Sequence, residues 1–295
     1  MRGARAERDV ERAIRQSGAI ERGERLLIAC SGGPDSVALA WALSELSGPM
    51  RLQARMAYVN HGIREAAWQD ECVAASVAAA CGLELEVIRP APSGNDEASL
   101  RALRYESLLE CARRCGSTAV VTAHHAEDQS ETVLLALFRG AGRDGLAGMP
   151  VRRQFGDGIA LARPLLRVEA GALRRLCHAR ALPYAVDATN ADAAFRRNAV
   201  RGALDALRPL FPGLDEAVAR AATLASDETQ SPRRAELRRI VRACLAEQEQ
   251  LRDIAFAHVE AAVRALESGR SGSFWMKPGV ILEVRQGEVS GITRE

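Results

Sequence analysis

Lysine is almost absent from this chain. Lys277 is the only one in 295 residues, and the other 39 basic residues are arginine. No lysine before that point can bind a phosphate or form a Schiff base. Aromatic residues make up 4% of the chain, so the core must come mainly from Ala, Leu and Val within a hydrophobic content of 47%. No apolar run reaches the roughly 18 residues that a membrane-spanning helix needs. The N-terminal MRGARAERDVERAIRQ has no apolar stretch of the kind a secretory signal carries. These absences point to a cytoplasmic protein. The 7 cysteines, from Cys30 to Cys244, contain no CxxC pair of a redox or iron–sulfur type. Cys111 and Cys115 lie four apart in a predicted helix and, like most of the others, read as small buried hydrophobes.

Net charge is only +2, but it is uneven. Residues 151–210 hold 11 Arg against 5 acidic residues. A basic stretch on a nearly neutral chain suits a localised phosphate contact. Arg174, Arg175 and Arg180 also fit a solvated helical face, and composition alone leaves these two readings even.

Strand and helix patterns alternate from Arg25 onward. Short apolar runs at 25–30, 56–59, 83–89, 118–122 and 161–164 read as strands, with a further short strand near Tyr184. Helical stretches lie at about 8–22, 34–46, 65–81, 98–115, 127–139 and 168–180. The alternation predicts an α/β fold with a doubly wound, mainly parallel sheet. Past Pro212 come helices, broken near Ser231-Pro232, and then a small β unit at 270–295. The expected division is a catalytic domain at 1–212 and a smaller helical and α+β domain at 213–295.

In sheets of this type ligands bind at the carboxyl ends of the strands. The polar punctuation falls there: Ser31-Gly32-Gly33 after the first strand, Asn60-His61-Gly62 after the second, Ala123-His124-His125 after the fourth. Ser31-Gly32-Gly33-Pro34-Asp35-Ser36 joins a strand to a helix N-terminus. Glycines allow close backbone approach, and the free N–H groups of a first helical turn donate to an anion. The loop is neither GxxxxGK[ST] nor GxGxxG. It suits a pyrophosphate with a metal, Asp35 being a candidate Mg²⁺ ligand. An ordinary tight turn capped by Ser31 is the plainer alternative.

SGGxDS after a first strand resembles the signature of the PP-loop ATP pyrophosphatases, which cleave ATP to AMP and pyrophosphate and adenylate a substrate. Further segments are similar to the tRNA(Ile)-lysidine synthetases within that superfamily. They are Val59-Asn60-His61-Gly62-Ile63-Arg64, Leu100-Arg101 with Arg104-Tyr105, and Thr122 to Thr132 followed by Leu134-Leu135 and Phe138-Arg139-Gly140-Ala141-Gly142. Arg163-Pro164-Leu165-Leu166, Asp187 to Asn190, and Arg197-Asn198 with Arg201 complete the match over about residues 25–201. Glu127 stands where the family usually has Asp, and Leu100 where Ala is usual. The sequence is expected to lack the larger second C-terminal domain of long members.

The resemblance implies ATP and Mg²⁺ as cofactors. It implies two substrates, the isoleucine tRNA with a CAU anticodon and free L-lysine, with no membrane partner. It is also compatible with a homodimer. The implied reaction joins lysine to C2 of the wobble cytidine through an adenylated cytidine. For that chemistry Ser31, Gly32, Gly33, Pro34, Asp35 and Ser36 are the expected ATP loop. Asp35, His124, Asp128, Glu131 and Arg201 are the expected catalytic group. His61, Arg64, Arg101, Arg104, Arg139, Asn190, Arg197 and Asn198 are expected substrate or tRNA contacts. The i, i+4, i+7 spacing of His124, Asp128 and Glu131 places them on one helical face. There they could hold lysine's ammonium, bind Mg²⁺ or take a proton. Capping and a solvated face are the plainer reading of the same residues. Arg197 and Arg201, one turn apart, suit phosphates or salt bridges to Asp187 or Asp192. A thiolase on the same fold, a small-molecule ligase and a nucleotide-binding protein without catalysis are the competing functions.

Overall fold

The structure is a computed structural model that describes residues 2–60, 67–91, 97–185, 195–247, 254 and 256–294. His61, Arg64, Asp187 and Asn190 lie outside these residues. Contacts divide the chain into two units, 1–221 and 222–295.

The first unit opens with α1 (Arg2–Gln16), β1 (Arg25–Ala29), α2 (Pro34–Met50) and β2 (Gln53–Val59). It continues with α3 (Ala67–Cys81), β3 (Glu84–Ile88), α4 (Glu97–Arg114), β4 (Ala119–Val121) and α5 (Ala126–Phe138). The short α6 (Arg143–Leu146), β5 (Arg152–Gly156), β6 (Ile159–Ala162), α7 (Ala170–Ala179) and α8 (Phe195–Leu207) follow. The boundary between the units falls within the next helix, α9 (Leu214–Gln230).

The sheet runs β3-β2-β1-β4-β6-β5. All pairings are parallel except β5 with β6. Strands buried on both faces explain the continuous apolar runs: Leu26, Leu27 and Ile28 of β1 and Ala119, Val120 and Val121 of β4 are fully buried. One face is covered by α2, whose Val37, Leu39, Leu43 and Leu46 join Ile14 of α1 and Leu173 of α7 in one core. The other is covered by Leu108, Cys111 and Ala112 of α4.

The first helix lies at Arg2–Gln16 rather than 8–22, and two strands also depart from the sequence expectation. No strand forms near Tyr184: that segment is irregular, and Ala185 N–H donates to Gly32 O at 2.9 Å, tying it to the phosphate loop. The antiparallel edge strand β5 carries Arg152, Arg153 and Gln154, which give no apolar signal. Arg152 is held instead by a two-pronged pair with the buried Glu24, at 2.7 and 3.2 Å.

The second unit contains α10 (Pro232–Glu247), α11 (Phe256–Glu267) and a three-stranded antiparallel sheet of β7 (Gly272–Lys277), β8 (Val280–Arg285) and β9 (Glu288–Arg294). Its own core packs Val241, Leu245, Val263, Met276 and Leu282. Beside it, Arg238 is almost fully buried and pairs with Glu260 and Asp227, so its charge is compensated. Among the described residues no helix is long and apolar enough to cross a membrane.

Candidate active site

The strand order places β1 beside β4, with the chain winding outward in opposite directions from that pair. A crevice opens at the carboxyl ends of such neighbours. The Ser31–Ser36 loop leaves β1, and Thr122–His125 leaves β4. Two segments distant in sequence therefore meet at one place.

The loop is shaped by Gly32, whose φ is +82°, a left-handed value that glycine adopts freely. A Cβ there would lie 3.2 Å from the backbone oxygen of Asp70. The helix N-cap is Gly33 rather than Ser31, and Pro34 occupies the first turn. The Ser31 hydroxyl meets Ser36 Oγ at 3.2 Å, while Ser36 Oγ also accepts Ser31 N–H at 3.1 Å and donates to Gly33 O at 2.9 Å. Ser36 thus braces the loop from inside. The first intrahelical bond is Val37 N–H to Gly33 O. The N–H groups of Asp35 and Ser36 precede it and have no intrahelical acceptor.

Asp35 lies in the first turn of α2 and is partly buried, rather than on an open loop. Its Oδ1 is buried with no hydrogen-bond partner. Such an orphaned carboxylate oxygen fits a cation or a ligand donor. Its Oδ2 lies 3.5 Å from His125 Nε2.

His125, which sequence reasoning passed over for its neighbour, is the centre of an acidic cluster. It is the N-cap of α5, and its backbone N–H donates to Asp128 Oδ2 at 3.1 Å. Its Nε2 is 3.5 Å from Asp128 Oδ2, and its Nδ1 is 2.9 Å from Glu127 Oε2. Burial works against charge on this ring. The hydrogen bonds to Asp35 and Glu127 and the charges of Asp128 and Asp35 outweigh it, raising the pKa to about 10. Glu127 also accepts Ala170 N–H, which fixes the start of α7. Burial pulls the Glu127 carboxyl upward, but His125 and that N–H hold it below its ordinary value. The available signal was the acidic pair following two histidines, which marked a cluster without showing which ring it surrounds.

His124 precedes α5 instead of starting it, so it is not on the helical face of Asp128 and Glu131. Its Nδ1 is 2.9 Å from Thr122 Oγ1. Burial, followed by the fields of Arg163, Arg101, Arg104 and Arg197, pushes its pKa down to about 3. It is a neutral ring among arginines.

Glu131 is 2% exposed, and both its oxygens are taken. Arg197 Nε reaches Oε2 at 2.7 Å and Arg201 Nε reaches Oε1 at 2.7 Å. Arg197 also lies 3.6 Å from Asp128 Oδ1. The one-turn spacing on α8 therefore clamps α8 to α5 through one carboxylate. Burial raises the Glu131 carboxyl, but the two guanidiniums more than compensate and keep it ionised. Arg101 and Arg104 of α4 flank Tyr105, 5.2 and 5.9 Å from its ring. Arg163 is 4% exposed, donates to Pro150 O, and leaves its Nε without a partner. Asn198 lies on α8 next to Arg197. Arg139 caps α5, further from this centre.

The site has two electrostatic halves. Asp35, Glu127 and Asp128 form an acidic half around a charged His125, while Arg101, Arg104, Arg163 and Arg197 form a basic half around a neutral His124. Among the described residues no three His, Cys, Asp or Glu side chains are grouped to hold a metal ion. Mg²⁺ usually needs only one or two carboxylates with substrate phosphates. The orphaned Asp35 Oδ1 fits that pattern.

A phosphate-sized loop at the switch point of a parallel sheet, with an acid in the helical turn behind it, defines a nucleotide-handling α/β domain. The chain belongs to the PP-loop domain family, whose profile matches residues 4–207. It is 44% identical over 210 residues to a tRNA(Ile)-lysidine synthase of Salinispora tropica, covering 69% of this chain and 63% of that protein. It is 36% identical over 199 residues to one of Symbiobacterium thermophilum, covering 65% of this chain and 41% of that protein. The chain thus spans less than two thirds of the length of these relatives. In fold it is similar to the U34-tRNA thiolase NcsA from Methanococcus maripaludis, with a TM-score of 0.62, 16% identity, and coverage of 73% of this chain and 76% of that one.

Proposed function

We propose that the protein is a lysidine-forming ligase. It uses ATP to adenylate the wobble cytidine of a tRNA(Ile) with a CAU anticodon, and then joins free lysine to that base in the cytosol. The observation that carries this reading is the two-sided charge of one crevice in a chain whose relatives are named for that reaction. A polyanion and a cation must meet there, and each half suits one of them.

The N–H groups at Gly33, Asp35 and Ser36 would receive the ATP phosphates, helped by the α2 dipole. Mg²⁺, held through Asp35, would offset charge on the phosphates as pyrophosphate leaves. In the first step the cytosine O2 attacks the α-phosphorus and pyrophosphate departs. In the second an amine of lysine attacks C2, AMP departs, and the amine loses a proton. Asp128 is the carboxylate that touches both halves of the site, and it is suited to hold the lysine ammonium and take that proton. Glu131 acts differently: with both oxygens engaged it positions Arg197 and Arg201 toward the RNA. Neutral His124 is suited to a hydrogen bond with the base or the sugar. Residues 213–295 are proposed to contact the body of the tRNA, and a homodimer is compatible with this scheme.

Sulfur transfer is the less favoured alternative. Cys30 and Cys177 flank the loop singly, and burial pushes both thiols up, Cys177 to about 12. A thiol of that kind is a poor nucleophile. The test is ATP-dependent incorporation of labelled lysine into unmodified tRNA, with pyrophosphate release followed in parallel. Incorporation restricted to an isoleucine tRNA bearing CAU supports the reading. Pyrophosphate release without lysine incorporation sends it to another nucleophile. ATP binding without turnover points to a nucleotide sensor.

A further inference from the structure

An open groove of about 500 Å³ lies between α5 and α8, lined by Leu135, Phe138, Arg139, Ala199, Val200 and Ala203. Leu135 is one turn along α5 from Glu131, and Val200 and Ala203 flank Arg201. The groove therefore begins about one helical turn from the Glu131–Arg201 pair that borders the site. Phe138 is 69% exposed on its rim. A large aromatic side chain left in water lacks any packing role that would explain it. Arg139 stands beside it, and among the described residues its guanidinium meets no carboxylate. Across the groove on α8, Arg197 and Arg201 are each already paired with Glu131.

An exposed ring and an unpaired guanidinium over an apolar floor form the combination on which unpaired nucleobases stack, the guanidinium also reaching the backbone phosphate. We propose that this groove holds an unpaired nucleotide of the RNA substrate next to the base that reacts, its base on Phe138 and its phosphate near Arg139. The inference rests on the tRNA reading above and deepens it. A second copy of this chain would also cover an apolar strip. A stable dimer, however, needs on the order of 1,200–2,000 Å² of total buried area. The size of this groove suits a single small group, and its one free charge is positive, as a phosphate requires.

The experiment uses the full chain and a stem-loop RNA carrying the CAU anticodon, with 2-aminopurine in place of each unpaired loop base next to the cytidine in turn. Stacking in the groove should quench one of these probes on binding. Phe138→Ala should remove the quench and weaken RNA binding roughly tenfold, within the range for losing one base–aromatic stack. Phe138→Tyr should retain both. Arg139→Ala should weaken binding and flatten its salt dependence. Unchanged melting temperatures would show that the variants fold. Wild-type binding and lysine incorporation with no loss in Phe138→Ala would overturn the groove while leaving the proposed function intact. A chain that binds no stem-loop and incorporates no lysine would overturn both. Conversion of a wild-type dimer to monomer by Phe138→Ala, at unchanged RNA affinity, would make the groove a contact between copies and overturn the proposal.

Discussion

The Nε2 of His125 stands 3.5 Å from Asp35 Oδ2, linking the start of α5 to the phosphate loop after β1. Two residues 90 positions apart are joined because β4 and β1 are neighbours in the sheet. The imidazolium also faces Glu127 and Asp128, so its proton offsets three carboxylates. Its pKa is raised from 6.5 to about 10. A group raised on folding contributes stability that is full below the unfolded value and is lost as pH rises through the folded one. Wild type should therefore lose stability between about pH 6.5 and 10, and His125→Gln should lack that loss. Melting curves of both proteins across this range decide it, and their difference cancels the buried cysteines, which titrate in each. Parallel curves would show that His125 is not the cation holding the cluster.

Asp35→Asn keeps the shape of the side chain and removes its charge. The orphaned Oδ1 suits a cation that an amide binds poorly. ATP-dependent lysine incorporation should fall by roughly a hundredfold or more, the range for losing one transition-state contact. The melting temperature should fall only modestly: the pairing with His125 is weakened, while the bonds that shape the loop run through Ser31, Gly33 and Ser36. Retained incorporation in a steady-state assay would remove Asp35 from the reaction.

The sequence made the central frame legible because strands buried on both faces announce themselves as apolar runs, and β1, β4 and β6 are of that kind. It also placed SGG and AHH at strand ends, so both segments were expected on the ligand-binding edge of the sheet. Edge strand β5 was not legible, since its arginines are satisfied by Glu24 and by solvent rather than by burial. The division of labour within the site was hidden for a related reason. Whether His124 or His125 carries the charge depends on which arginines and carboxylates come from α4, α8 and α2, and no spacing within Thr122–Thr132 encodes that. Glu131 looked like a free carboxylate because its partners lie 66 and 70 residues away.

Gly32 is the position where the loop tolerates least. Its φ of +82° costs any other residue about 1–2 kcal/mol, and an added methyl would press on the Asp70 backbone at 3.2 Å. Gly32→Ala should lower stability by about that amount and weaken ATP binding, because the loop that receives the phosphates must shift. Calorimetric titration with ATP, alongside denaturant unfolding, checks both. Unaltered ATP affinity in a destabilised variant would detach the loop from the nucleotide.

Glu131 supports a prediction that separates positioning from proton transfer. Glu131→Gln removes the charge that binds Arg197 and Arg201 while keeping a side chain of the same size. Breaking a buried pair from one side costs about 3–5 kcal/mol. Here Arg201 is 39% exposed and can turn to water, so a loss of about 1–3 kcal/mol is expected. If Glu131 acts only by holding the arginines, Glu131→Gln and Arg201→Ala should both raise KM for tRNA. The double variant should then be little worse than either single one, because each removes the same contact. The pH profile of kcat should keep its shape in all three. A kcat profile that loses its acidic limb in Glu131→Gln alone would instead make Glu131 the proton acceptor.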